Sequence, residues 1–76
     1  MQVIILFSNG LTRIIEVDPE DTISNAKKLI HERTDVPPCY QRLVFAGREL
    51  EDERIFNYYN IQRGSVIHIS TLMRGD

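Results

Sequence analysis

With 76 residues, 42% of them hydrophobic and 26% charged, the chain is one small soluble domain spanning 1–76, near the lower limit for a core built without metal or disulfides. Its net charge of −2, from nine Lys+Arg and eleven Asp+Glu mixed along the chain, excludes a sequence-independent grip on nucleic acid and puts protein partners first. A single cysteine, Cys39, excludes an intrachain disulfide and a cysteine-based zinc site, and no apolar run approaches the roughly 20 residues of a membrane span.

Met1 to Phe7 is apolar and β-branched, and Ser8-Asn9-Gly10 follows as a turn cluster. Leu11 to Val17 reads as a second strand, so the two form an antiparallel hairpin. Pro19 and the acidic Asp18, Glu20 and Asp21 end it, and Thr22 is suited to cap a helix. From Ile23 the apolar residues change period: Ile23, Ala26 and Leu29/Ile30 recur every three to four positions, with Lys27, Lys28, His31, Glu32 and Arg33 between them. The pattern predicts an amphipathic helix of about three turns. Pro37-Pro38 stops it near Thr34-Asp35. Gln41 to Phe45 is a short strand, Ala46-Gly47 a turn and Arg48 to Leu50 a shorter strand. The stretch bearing Phe56, Tyr58 and Tyr59 is too aromatic for a linker and predicts a single helical turn. Ser65 to Thr71 alternates as a last strand.

A bare hairpin or a lone helix is unstable in water, so the helix has to cover one face of a mixed sheet, in an α+β fold. Alternation turns Met1, Val3, Ile5, Ile15, Val17, Leu43, Ile67 and Ile69 inward, facing Ile23, Ala26 and Ile30 of the helix. Leu50, Phe56 and Ile61 close the bottom. The single cysteine fits a reducing compartment, and Met1 runs straight into alternating residues without a charged leader or cleavage site; a cytoplasmic or nuclear monomer is expected.

These residues together resemble one family. Met1-Gln2, the Gly10 turn, Glu16-Val17, Asp21-Thr22-Ile23, Pro37-Pro38, Gln41-Arg42-Leu43, Phe45-Ala46-Gly47, Leu50-Glu51-Asp52, Tyr59-Asn60-Ile61-Gln62, His68 and Arg74-Gly75 look like ubiquitin, in register and without a gap. Gly64 to His68 looks more like ubiquitin's cullin-modifying relative. The resemblance covers the whole chain. It implies a β-grasp fold, with the second and fifth strands flanking and the helix lying across the sheet.

The resemblance also shows where this chain departs. Conjugated members of the family end in Gly-Gly, whose carboxylate is adenylated, passed to thiols and joined to an amine, whereas this chain reads Met73-Arg74-Gly75-Asp76. A side chain and an extra negative charge at Asp76 obstruct glycine-only channels, so conjugation through this tail is not expected. Leu72 matches neither ubiquitin's arginine nor the cullin modifier's alanine at the position that selects the activating enzyme. Leu6, Leu11, Leu29, Arg33, Arg48 and Arg63 stand where ubiquitin has lysine, and only Lys27 matches. Arginine stays protonated and is no acyl acceptor. For Lys27 the resemblance implies an ion pair with Asp52.

Receptors of ubiquitin mostly use the solvent face of the sheet, at positions occupied here by Ser8, Val44, His68 and Ser70. Compared with ubiquitin, two of the four, Ser8 and Ser70, have lost an aliphatic side chain, which predicts weakened binding to ordinary ubiquitin receptors. Period-two counting places Ile4, Leu6, Ile14 and Val66 on the outward phase beside Val44 and His68, forming a displaced apolar patch. Arg42, Arg48 and Arg74 are expected to ring it, with Met73 completing the contact set. An apolar centre with a basic rim suits an amphipathic helix or a short strand. Aspartate at Leu6 or Val44 should then abolish binding with little loss of stability.

The reading is a non-covalent protein-interaction module of the ubiquitin/proteasome system, binding ubiquitin receptors, proteasome subunits or ubiquitin-pathway enzymes. A diverged modifier conjugated after processing and an inert scaffold domain are the alternatives. His31 and His68 are isolated and no metal-ligand spacing occurs, so neither a metal nor a cofactor is expected. Cys39 lies in an exposed turn without a basic neighbour in sequence, and nothing frames a nucleophile; no catalytic residue is assigned. Arg13 falls on the inward phase, where ubiquitin has isoleucine, and either snorkels from the core edge or pairs with an acid. Tyr59 resembles the family tyrosine that braces the adjacent loop. The tripeptide Arg74-Gly75-Asp76 is read as a coincidental integrin motif.

Overall fold

A computed structural model describes residues 1–71 of the chain. Gln2–Phe7 (β1) and Thr12–Glu16 (β2) form the hairpin, followed by the helix Ile23–Thr34 (α1). The short 3-10 helix Pro38–Tyr40 leads into Gln41–Phe45 (β3) and Arg48–Glu49 (β4). A second 3-10 helix, Phe56–Tyr59, precedes Val66–Thr71 (β5). The order is that of the hydrophobic periods; the Pro38–Tyr40 helix replaces a plain turn, because Pro38 presets the φ of its first position. β2 opens at Thr12 rather than Leu11, since the Leu11 N–H is taken by the Asn9 Oδ1 at 3.0 Å and its carbonyl closes the turn to Phe7 N–H at 2.8 Å.

The five-stranded sheet has the order β2-β1-β5-β3-β4. β2 and β5 flank β1, antiparallel and parallel respectively, while β3 runs antiparallel to both β5 and β4. A mixed sheet crossed by one helix is the β-grasp arrangement. The β3–β4 reversal holds both Ala46 and Gly47 at positive φ, 55° and 79°, the geometry of a two-residue turn matched to strand twist.

Helix α1 starts where it does because its first donors have partners. The Thr22 Oγ1 accepts from the Asn25 N–H at 3.2 Å. Ile23 and Ser24 donate to the carbonyls of Arg54 and Asp52 at 2.9 and 3.0 Å. The loop after β4 thus satisfies the N–H groups that a helix leaves unpaired, and fastens itself to the helix by doing so. At the other end Asp35 adopts a left-handed φ of 63° and its N–H returns to the His31 carbonyl at 2.8 Å.

Val3, Ile5, Ile15, Val17, Leu43, Ile67 and Ile69 of the sheet meet Ile23, Ala26 and Ile30 of the helix, with Leu50, Phe56 and Ile61 below. Met1 packs partly buried against this core, as alternation expects, and its ammonium group reaches the Glu16 carboxylate at 2.8 Å and the Val17 carbonyl at 2.6 Å. Arg13 is exposed; its guanidinium donates to the Thr12 carbonyl at 3.0 Å rather than to an acid. Tyr59 and Gln41 join the buried set. The Tyr59 hydroxyl accepts from the Glu51 N–H at 2.7 Å, bracing the 51–59 loop. The Gln41 Nε2 donates to the carbonyls of Lys27 and Val36, both at 2.9 Å, tying β3 to the helix and to the segment that follows it.

Candidate functional site

Strand register assembles the outer face. Ile14 lies opposite Ile4, and Ile4 opposite Val66. In the next row Thr12, Leu6, His68, Val44 and Glu49 follow one another across all five strands. At the ordinary interstrand spacing that second row spans about 19 Å, wide enough for a helix or an extended segment. The six apolar-patch positions expected from alternation, Ile4, Leu6, Ile14, Val44, Val66 and His68, are therefore neighbours in register.

Their exposure differs. Ile14 and Val66 are 54% and 40% exposed. Leu6, Ile4 and Val44 are half-buried, since each has a register partner on both neighbouring strands, whereas Ile14 lies on the edge strand β2 and Val66 has a register partner on β1 alone. Aspartate at Leu6 or Val44 consequently disturbs packing as well as contact, so the expectation that such changes spare stability holds better for Ile14 and Val66.

The basic rim also takes a different form. Arg42 shares the outward phase, opposite Ser70, and its Nε lies 3.3 Å from the Glu49 carboxylate. Both partners are about half exposed, so the pair adds little stability but cancels the charge of that rim position. Arg48 is not on the rim: it pairs in register with Phe45, which packs against the core, and its guanidinium carbon lies 5.5 Å from the centroid of the Tyr59 ring. Cation–π attraction to a tyrosine already fixed by its hydroxyl accounts for that orientation. Met73 and Arg74, like Leu72 and Asp76, lie outside the described residues. The result is an apolar centre bordered by a mixed-charge edge.

The Lys27 Nζ meets the Asp52 carboxylate at 2.7 Å, with the lysine side chain only 11% exposed. The Met1 ammonium is similarly engaged with the Glu16 carboxylate at 2.8 Å. Lys28 is exposed on α1 and, among the described residues, has no hydrogen-bond or ion-pair partner. An amine-acylating reagent at limiting dose is therefore expected to modify Lys28 before Lys27 by about 5-fold, because Lys27 must first break an ion pair worth about 1 kcal/mol. Peptide mapping by mass spectrometry checks the order.

Sequence reasoning missed the Arg42–Glu49 pairing and the buried Gln41. The latter was open to discovery, because Gln41 shares the period-two phase of Leu43. Among the described residues no group of three or more His, Cys, Asp or Glu side chains is placed to hold a metal ion. No helix there is long and apolar enough to cross a membrane.

A family model described as ubiquitin family matches residues 3–74. The chain belongs to the ubiquitin family. It is 41% identical over 61 residues to NEDD8-like protein RUB3 of Arabidopsis thaliana, covering 80% of this chain and 78% of that protein. The ubiquitin-like protein NEDD8 of Dictyostelium discoideum is 38% identical over 61 residues, with 80% and 79% covered. Ubiquitin-like protein 4A of Xenopus laevis is 35% identical over 69 residues, which is 91% of this chain and 47% of that longer protein. Ubiquitin-family members are generally modifiers or protein-interaction modules without enzymatic activity of their own.

Proposed function

We propose that this chain is a non-covalent protein-interaction module of the ubiquitin/proteasome system, neither an enzyme nor a modifier joined through its tail. Its partners are ubiquitin receptors, proteasome subunits or ubiquitin-pathway enzymes, which dock on the outer face of the sheet in the cytoplasm or nucleus. The observation that carries this reading is the row Ile14–Ile4–Val66, continued by Leu6, His68 and Val44, which gathers apolar side chains from four strands on one outward face. Interfaces of this kind draw their affinity from such an apolar centre while the polar edge sets orientation.

Asp76 supports the non-conjugated part of the reading, because it stands where conjugated members have their second terminal glycine. The second reading, a diverged conjugated modifier, draws support from the 41% identity to a NEDD8-like protein. A charging assay separates the two. Incubated with ubiquitin- or NEDD8-activating enzyme and ATP, the chain is expected to form no thioester resolvable on a non-reducing gel, whereas the Asp76→Gly variant gains a Gly-Gly tail and serves as the sensitised control. A thioester on the unaltered chain would establish the second reading instead.

A further inference from the structure

A second concave surface lies on the opposite, helix-facing side of the hairpin. Phe7, Leu11, Arg13, Arg33, Thr34 and Val36 line an open groove of about 360 Å³ between the β1–β2 turn and the C-terminal end of α1. Phe7 and Arg13 reach it because they share the register phase of Ile69 and Ile5, away from the outer sheet face. Leu11 is 53% exposed at its mouth. Phe7 and Val36 are half-buried and give it an apolar floor.

The groove's charge sets it apart from the rest of the molecule. The chain carries a net charge of −2, yet no carboxylate lines this groove and both of its charged residues are arginines. Arg13 makes one hydrogen bond, to a backbone carbonyl, and Arg33 has no ion pair among the described residues. A guanidinium has five N–H donors arranged as a fork that fits a carboxylate, so most of this donor capacity is unspent. Leu11 and Arg13 are also two of the positions at which the chain departs from ubiquitin. One departure replaces a lysine with an apolar side chain and the other an isoleucine with a cation, so the groove keeps two cations while its mouth becomes apolar.

We propose that this groove binds an acidic peptide segment of a partner protein. An apolar side chain of the segment sits between Leu11, Phe7 and Val36, and flanking carboxylates pair with Arg13 and Arg33. Nucleic acid is a poor fit, because two cations and one half-buried ring offer neither a track for the phosphates nor a stacking platform.

The test uses the intact chain and a fluorescein-labelled peptide of sequence Glu-Asp-Leu-Leu-Asp-Glu, followed by anisotropy and by amide shifts. Saturable binding with a dissociation constant on the order of 10–300 µM is expected, with shifts centred on Phe7, Leu11, Arg33 and Val36. Replacing both arginines (Arg13→Glu, Arg33→Glu) should weaken it at least about 10-fold, as should the uncharged peptide Gln-Asn-Leu-Leu-Asn-Gln. Both arginines are exposed, and circular dichroism confirms that the variant folds. Val66→Asp, on the outer sheet face, should leave this affinity unchanged, so the result is independent of the docking face proposed above. Equal binding of the uncharged peptide, unaltered affinity of the arginine variant, shifts confined to the outer face, or no binding up to about 1 mM would overturn the proposal. So would a chain truncated before Leu72 that binds at least about 10-fold more tightly, since it would assign the groove to the chain's own tail, or shifts that grow with protein concentration alone, which would assign it to a second copy.

Discussion

Replacing Phe56 with alanine is expected to lower the unfolding free energy by about 3–5 kcal/mol, the range found for emptying a fully buried phenylalanine site. Phe56 has no exposed surface and is among the largest side chains of the core. The site cannot collapse easily, because its backbone is pinned on both sides: the Phe56 N–H donates to the Asp21 carbonyl at 3.1 Å and the Asn57 N–H to the Pro19 carbonyl at 2.9 Å. A domain of this length has only about 4–11 kcal/mol in total, so the loss is a large share of it. Chemical denaturation measures it as a lower midpoint with an unchanged slope. The 51–59 loop also supplies the carbonyls that cap the start of α1, so amide exchange at Ile23 and Ser24 should accelerate in step with global unfolding. A midpoint shift worth less than about 1 kcal/mol would mean that the loop packs independently of the helix whose first N–H groups it caps.

The paired substitution Ile14→Asp, Val66→Asp is expected to weaken binding to a proteasomal ubiquitin-receptor domain at least about 30-fold, while changing stability by no more than about 1 kcal/mol. These two side chains are the exposed members of the outer row, on either side of Ile4. Placing carboxylates there removes the apolar contact and adds two charges that the partner would have to desolvate. Leu6 and Val44 are weaker probes of contact, because each is half-buried between neighbouring strands and a carboxylate there destabilises the sheet itself. Isothermal titration beside a denaturation curve reads both quantities. Unchanged affinity in a folded variant would move the docking surface off this face, and no binding by the unaltered chain would leave the inert scaffold reading in place.

Much of this was legible in the sequence, for identifiable reasons. The shift from period two to period three to four at Ile23 marks a physical change of element, and Thr22 and Pro37 bound it, so the helix emerges nearly to the residue. Alternation also placed the outer row, because the pleat of a strand is strict enough that Ile4, Leu6, Ile14 and Val66 can face only one way once Val3 and Ile5 are inward. The side chain that the sequence misplaced is Arg48, drawn to the Tyr59 ring; Arg42 keeps its outward place but spends its charge on Glu49, a pairing that local phase does not reveal. Arg13 obeys its inward phase at the backbone yet ends exposed, because the inward side at this end of the hairpin is an open groove rather than packed core. For Tyr59 the resemblance implies a brace for the adjacent loop; its ring is also core, since the loop that it braces closes the bottom of the sheet.

The most direct test of the outer face as the docking surface is an amide-shift titration of the isotopically labelled chain with a proteasomal ubiquitin-receptor domain. Perturbations are expected to cluster at Ile4, Leu6, Ile14, Val44, Val66 and His68, and to be absent from α1. Shifts confined to the helix or to the 51–59 loop, or none up to about 1 mM receptor, would contradict it.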